Sequence, residues 1–211
     1  SMRPRSRVAV NITVNEGNVS RIQKVKIVGN RAFPEAVLLK QLDSGPRGAF
    51  SIPLLSSSDQ YSKEKLIGDL EALTSFYRDR GFLKFEITST EVSMTPDKKD
   101  IYLTVGVNEG AQYKISNFGI AGNVALSQEQ LAKTVKIQKG QVFSQKALEE
   151  TRKNLEGTMG AQGYAFTKIK ALPDIDEENK TVAITLEVDT GKRTYVRRIT
   201  INGNNRTKDE V

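Results

Sequence analysis

The sequence predicts an α+β fold built as tandem β-α-α-β-β modules, each a three-stranded mixed sheet covered on one face by two helices. Two observations carry this. One stretch is written three times, at 14–30, 107–123 and 188–204, with glycines twelve apart in every copy: Gly17 and Gly29, Gly110 and Gly122, Gly191 and Gly203. Its apolar positions recur as well, Ile22, Val25 and Ile27 reappearing as Ile115, Phe118 and Ile120 and again as Val196, Ile199 and Ile201. Fixed spacing of this kind marks a repeated unit. The second observation is a strict alternation before each copy, in Ile101, Leu103, Val105 and Val107 and in Val182, Ile184, Leu186 and Val188. Period two is the pattern of a strand with one buried face.

The elements follow in order. Val8, Val10, Ile12 and Val14 alternate, and the repeat reads residues 1–17 as the last strand of a preceding module. The first complete module spans 18–110. Its first strand, Ile22 to Val28, stops at Gly29-Asn30, residues that tolerate positive φ. Pro34 opens a short helix with Val37, Leu38 and Leu42. A Gly-, Pro- and Ser-rich loop from Asp43 to Gln60 carries Phe50, Ile52, Leu54 and Leu55. A helix from Ser62 to Arg80 places Leu66, Leu70, Leu73 and Tyr77 on one face, and Gly81 ends it. A strand from Phe82 to Met94, a turn at Pro96 to Lys99 and the alternating strand complete the module. The second module, 111–191, repeats this order. Ser127 with Gln130 has capping-box spacing, Ser144 opens the longer helix with Leu148, Leu155 and Met159, and strands at 164–170 and 181–188 flank a turn at Asp176 to Lys180. Residues 192–211 begin a third module, with Thr207 and Glu210 at the start of its first helix.

Composition narrows the chemistry. Neither cysteine nor histidine occurs, which removes disulfides, thiol nucleophiles, imidazole bases and most zinc sites. Ser62-Lys63-Glu64-Lys65 matches the Ser-x-x-Lys of acyl-transfer enzymes, but Ser144 holds the equivalent position with Ala147 in place of the lysine. Both serines therefore read as helix N-caps. Asp174, Asp176, Glu177 and Glu178 form a solvated hairpin turn without the Gly and terminal Glu of a calcium loop. No catalytic residue, cofactor or metal is expected. No apolar run approaches the roughly 20 residues of a membrane-spanning helix. The net charge of +7 admits anionic partners, and Gly45-Pro46-Arg47-Gly48 and Gly160-Ala161-Gln162-Gly163 match the Gly-x-x-Gly of RNA-clamping KH domains. The first has Pro46 where an amide is needed and the second falls at a helix-to-strand boundary, so nucleic acid is not an expected partner and a KH-like module stands as the rival class.

The order of elements predicts where partners dock. Strands two and three form a hairpin, strand three is central, and strand two is an edge that exposes unpaired backbone groups. In the second module Pro173 near the end of strand two blunts that edge. In the first module Phe85, Ile87 and Ser89 share one parity and Val92 and Met94 the other, which predicts a β-bulge between Thr88 and Glu91. The predicted docking edge is Glu86, Ile87, Thr88, Ser89, Thr90, Glu91, Val92 and Ser93.

The modular order, the Gly-Asn turns and the stretches "VKIVGNRAF" at 25–33, "GDLEALTSFYRDRGFLKF" at 68–85 and "SMTPDKK" at 93–99 resemble POTRA modules, the periplasmic polypeptide-transport-associated domains of the Omp85 family. The likeness covers the chain after Arg7. It implies third-like and fourth-like modules between fragments of their neighbours, in the periplasmic portion of an outer-membrane protein whose signal peptide and C-terminal membrane barrel lie outside this stretch. It also implies non-enzymatic binding of unfolded outer-membrane proteins and accessory lipoproteins, with Glu86 to Ser93 as the strand offered for β-augmentation. A POTRA array of a two-partner secretion or organellar import channel is the alternative.

Overall fold

The computed structural model of the chain describes residues 21–43, 63–97, 99–124 and 126–194. The strand at Val8 to Val14, the loop residues from Gly45 to Leu55, Ser62 and the third module from Val196 lie outside them. The chain divides into two compact units, one drawn from the chain up to Leu73 with Ile87–Val107, the other from Thr74–Glu86 with the chain from Asn108 onward.

The first sheet is built from β1 (Arg21–Val28), β2 (Glu86–Met94) and β3 (Asp100–Asn108), accompanied by α1 (Glu35–Leu39) and α2 (Lys63–Arg78). The order is β1-β3-β2, with β1 parallel to β3. Five residues join β2 to β3, a link short enough only for an antiparallel pair. Ile101, Leu103, Val105 and Val107 are buried, and so are Leu38 of α1 and Leu73 of α2. The second sheet repeats the plan with β4 (Lys114–Gly122), β5 (Lys168–Asp176) and β6 (Thr181–Asp189), accompanied by α3 (Gln128–Thr134) and α4 (Gln145–Ala161). Its order is β4-β6-β5, with β4 parallel and β5 antiparallel to β6. Leu155 of α4 shares one buried cluster with Tyr113, Ile115, Phe143 and the alternating β6 residues.

The caps form as the sequence requires. Ser127 and Gln130 make a reciprocal capping box on α3, and the Ser144 hydroxyl accepts from the Ala147 amide at 3.2 Å. Thr151, fully buried, accepts from the Lys136 amide at 3.0 Å and so ties the segment after α3 to α4.

Two strand boundaries differ from expectation. Strands expected from Phe82 and from Tyr164 begin at Glu86 and Lys168. Gly81 and Gly163 sit at φ of +92° and +94°, and each releases a tight turn in which the next amide reaches back into the helix: Phe82 to Tyr77 at 3.1 Å, Tyr164 to Met159 at 3.0 Å. Phe82 and Phe85 are buried turn residues, so their apolarity reflects packing rather than pleat. At its other end β5 continues to Asp176, which leaves Pro173 in mid-strand opposite Ile184 rather than near the strand's end.

The Gly-Asn turns have a steric cause. At φ of +99° Gly29 lies so close to β3 that a Cβ would stand 2.1 Å from the Val107 carbonyl oxygen, and at Gly122 the distance to the Val188 oxygen would be 2.2 Å. Only a residue without a side chain lets β1 and β4 end there. Gly122→Ala is expected to cost at least about 2 kcal/mol, from positive φ plus the backbone clash. Gly157→Ala, inside α4 with open space around it, is expected to stabilise by about 0.5–1 kcal/mol. Urea denaturation of the two variants checks the pair.

Candidate docking edge on the first sheet

All eight predicted site residues lie on β2, which forms one side of the first sheet. Its root is fixed by packing. Tyr77, fully buried on α2, stacks its ring on Phe85 at 4.1 Å and meets Phe82 and Phe76 edge-on. Its hydroxyl donates to the buried carboxylate of Glu109, just past β3, at 2.7 Å. Burial, then the hydrogen bond and the charge of Glu109, hold the Tyr77 phenol well above its ordinary range. One side chain thus holds both the turn that leads into β2 and the exit of β3. Asn108 donates to Glu86 at 3.0 Å across the first rung.

The far end is fixed by the turn. The Thr95 amide donates to the Asp100 carbonyl at 3.0 Å, while the Thr95 hydroxyl accepts from the Asp100 amide and donates to Asp97 at 2.6 Å. That hydroxyl, followed by the Lys99 amide, holds the Asp97 carboxyl below the usual range.

Between these ends β2 carries one extra residue. Glu86 to Thr95 is nine steps, whereas Asn108 to Asp100, the same span on β3, is eight. The surplus sits at Thr88 and Ser89: a Cβ on Gly106 would lie 2.9 Å from the Thr88 hydroxyl and 2.5 Å from that of Ser89. Two consecutive side chains converging on one residue of the neighbouring strand is the geometry of a bulge. Beyond it every residue to Met94 is exposed. Because the Thr95 amide points to β3, the amides of Thr90, Val92 and Met94 point to the free side. Among the described residues none of the three has a partner.

The other outer strands are occupied or blunted in part. The Ile27 amide of β1 donates to the Glu35 carboxylate at 2.9 Å. Along β4, Ile115 donates to Gln141 at 2.8 Å and accepts from Gly140 at 2.7 Å, and Phe143 donates to Tyr113 at 3.0 Å. On β5, Pro173 has no amide hydrogen to offer. Sequence reasoning missed Glu35, the 140–143 segment and the Tyr77–Glu109 bond. Only Glu35 left a signal, as an acid in the first helical turn, where a carboxylate is ordinarily read against the helix dipole.

The remaining sequence candidates among the described residues sit in turns and at helix ends. Asp176 accepts from the Glu178 and Asn179 amides at 3.0 and 2.9 Å in the β5–β6 turn, and Lys180 takes φ of +53°. Gly160 and Gly163 lie in the last turn of α4 and the turn that follows it.

The fold recurs in known proteins. The POTRA family model, described as surface antigen variable number repeat, matches residues 20–110 and 113–191. The chain belongs to the POTRA family. Its POTRA modules are similar to part of the outer membrane protein assembly factor BamA of Neisseria meningitidis serogroup B, 29% identical over 98% of this chain and 26% of that protein. BamA of Buchnera aphidicola is 32% identical over 97% of this chain and 33% of its own length. The chain therefore spans about a quarter to a third of these relatives. The crystal structure of Haemophilus influenzae BamA POTRA3-5 shares the fold, with a TM-score of 0.73 and 24% identity over 94% of this chain and 77% of that one.

Tyr77→Phe should cost about 1.5–3 kcal/mol, since it takes a donor from a buried carboxylate. The phenol is neutral in the fold, so its contribution is whole below the unfolded pKa of roughly 10 and is lost as pH rises above it. Denaturation of wild type at successive pH values should show that loss above about pH 10, and Tyr77→Phe should flatten it.

Proposed function

We propose that the chain is a periplasmic receptor and scaffold region of an outer-membrane β-barrel assembly factor, binding unfolded outer-membrane proteins and accessory lipoproteins by β-augmentation at β2. The observation that carries this is the outer side of β2, where the amides of Thr90, Val92 and Met94 turn away from β3 and meet no partner among the described residues, while Glu35 takes the Ile27 amide of β1, the 140–143 segment pairs the start of β4 and Pro173 removes a donor from β5. A sheet edge in this state accepts an extended segment as a further strand, with main-chain hydrogen bonds supplying affinity without fixing the sequence of the guest. That suits a receptor that must take many unfolded chains and release them.

Similarity to BamA supports the same reading, with residues 18–110 and 111–191 as third-like and fourth-like modules and the periplasm as their compartment. No helix among the described residues is long and apolar enough to cross a membrane, and contact with the bilayer is assigned to a barrel elsewhere in the protein. The role is that of a binding scaffold, with no reaction assigned to the chain.

Thr90→Pro removes one outward donor and leaves the β2–β3 ladder intact, because the Thr90 amide does not face β3. Its expected effect is a loss of affinity of about tenfold or more for an extended outer-membrane-protein peptide, read by calorimetric titration, with the thermal midpoint within a few degrees of wild type. Unchanged affinity in the folded variant would rule out β2 as the docking strand.

A further inference from the structure

The docking edge has two chemically different faces. Pairing of Thr95 with Asp100, and the reach of the Ser93 hydroxyl to the Tyr102 carbonyl, put Met94 opposite Ile101 and Val92 opposite Leu103. Residues directly opposite in an antiparallel pair share a face. Ile101 and Leu103 are 0% and 3% exposed, so Val92 and Met94 lie on the core face of the sheet, yet they are 43% and 47% exposed. The apolar row that runs from β1 across β3 therefore ends at the open edge in two uncovered side chains. On the other face the same pairing aligns Glu91 with Thr104 and Ser93 with Tyr102. Glu91 is exposed and has no ion-pair partner among the described residues.

The equivalent edge of the second sheet lacks this division. Ile175 stands opposite Val182, where Met94 stands opposite Ile101, but Pro173 takes the place of Val92. Pro173 and Ile175 are both exposed, and on the other face Leu172, 49% exposed, takes the place of Glu91, so the two faces of that edge are not set apart as they are on β2.

We infer that β2 selects its guest by side-chain alternation: an extended segment with apolar residues at every second position, set against Val92 and Met94, and polar residues between them, a cation opposite Glu91. This rests on the docking reading above and adds specificity to it. A strand laid on the free edge puts its own alternate side chains on the two faces of the sheet, so one parity extends the apolar row and the other meets Glu91 and Ser93. Cross-strand apolar pairs and opposite charges each favour pairing, and two or three such contacts amount to about a fivefold preference. A segment of the same composition without alternation cannot present both faces at once in any register.

The test uses two nine-residue peptides of identical composition, one alternating valine and polar residues with a central lysine, the other with the valines in a block. Both are titrated into the full chain, the Val92→Thr/Met94→Thr variant and Thr90→Pro. The two threonines keep strand propensity and remove only exposed apolar surface, so folding is preserved. The expected result is an alternating peptide about fivefold tighter than the block peptide on wild type, a preference that largely disappears in the double variant. Equal binding of the two peptides to wild type, or a preference that survives the double substitution, would overturn the inference. If both peptides bind equally and Thr90→Pro weakens both, the selectivity is wrong and docking at β2 stands. If neither binds, docking and selectivity fall together.

Discussion

Much of what positions the proposed docking edge converges on the side chain of Tyr77. Its ring is stacked on Phe85 and its hydroxyl is bonded to Glu109, so the residue before β2 and the residue after β3 are held by one buried group. A hydrogen bond to a buried carboxylate is worth more than an ordinary one and is costly to leave unmade. The second sheet has no such clamp, because Met159 occupies the position of Tyr77 and Thr190 that of Glu109, both buried. The root of β2 is thus held by packing and a buried hydrogen bond, while the strand beyond the bulge is exposed. A docking strand needs this combination, an edge fixed in place whose own side chains are not committed to the core.

Repetition within the chain gives the comparison its force. Both sheets derive from the same order of elements and the same central alternation, so their differences isolate what each edge can do. On the second sheet β4 is paired along Tyr113 to Ile115 by the segment at 140–143, and Pro173 interrupts the donors of β5. On the first, Glu35 takes the Ile27 amide, while the outward amides of β2 meet no partner among the described residues. The same turn geometry appears twice within the second unit. The Gly81 carbonyl accepts from the Tyr113 amide at 2.9 Å and the Gly163 carbonyl from the Thr194 amide at 2.7 Å, while the side chains of Gln112 and Arg193 reach the preceding carbonyls of Arg80 and Gln162. In each case the accepting residue is the glycine that ends the long helix.

Most of this architecture was legible in the residues. Alternation in β3 and β6 located the central strands, because a strand covered on one face must show period two. The parity switch between Ser89 and Val92 located the bulge, because an extra residue reverses the faces. Strand starts were misplaced at Phe82 and Tyr164, since buried turn residues and buried strand residues are equally apolar. The Gly-Asn turns were read as conformational freedom, whereas Gly29 and Gly122 are also demanded by the nearness of a neighbouring carbonyl, which only three dimensions reveal. Edge coverage was the least legible part. Whether an outer amide is free depends on long-range partners such as Glu35 or Gln141, and no local pattern reports them.

The proposed docking strand is β2 of the first sheet. Chemical-shift mapping of the labelled chain with an extended outer-membrane-protein peptide tests it most directly. The largest changes should gather at Glu86 to Ser93, with the Thr90 and Val92 amides moving as hydrogen-bonded amides do. Changes gathered instead along β5, or spread over both sheets with β2 silent, would contradict it.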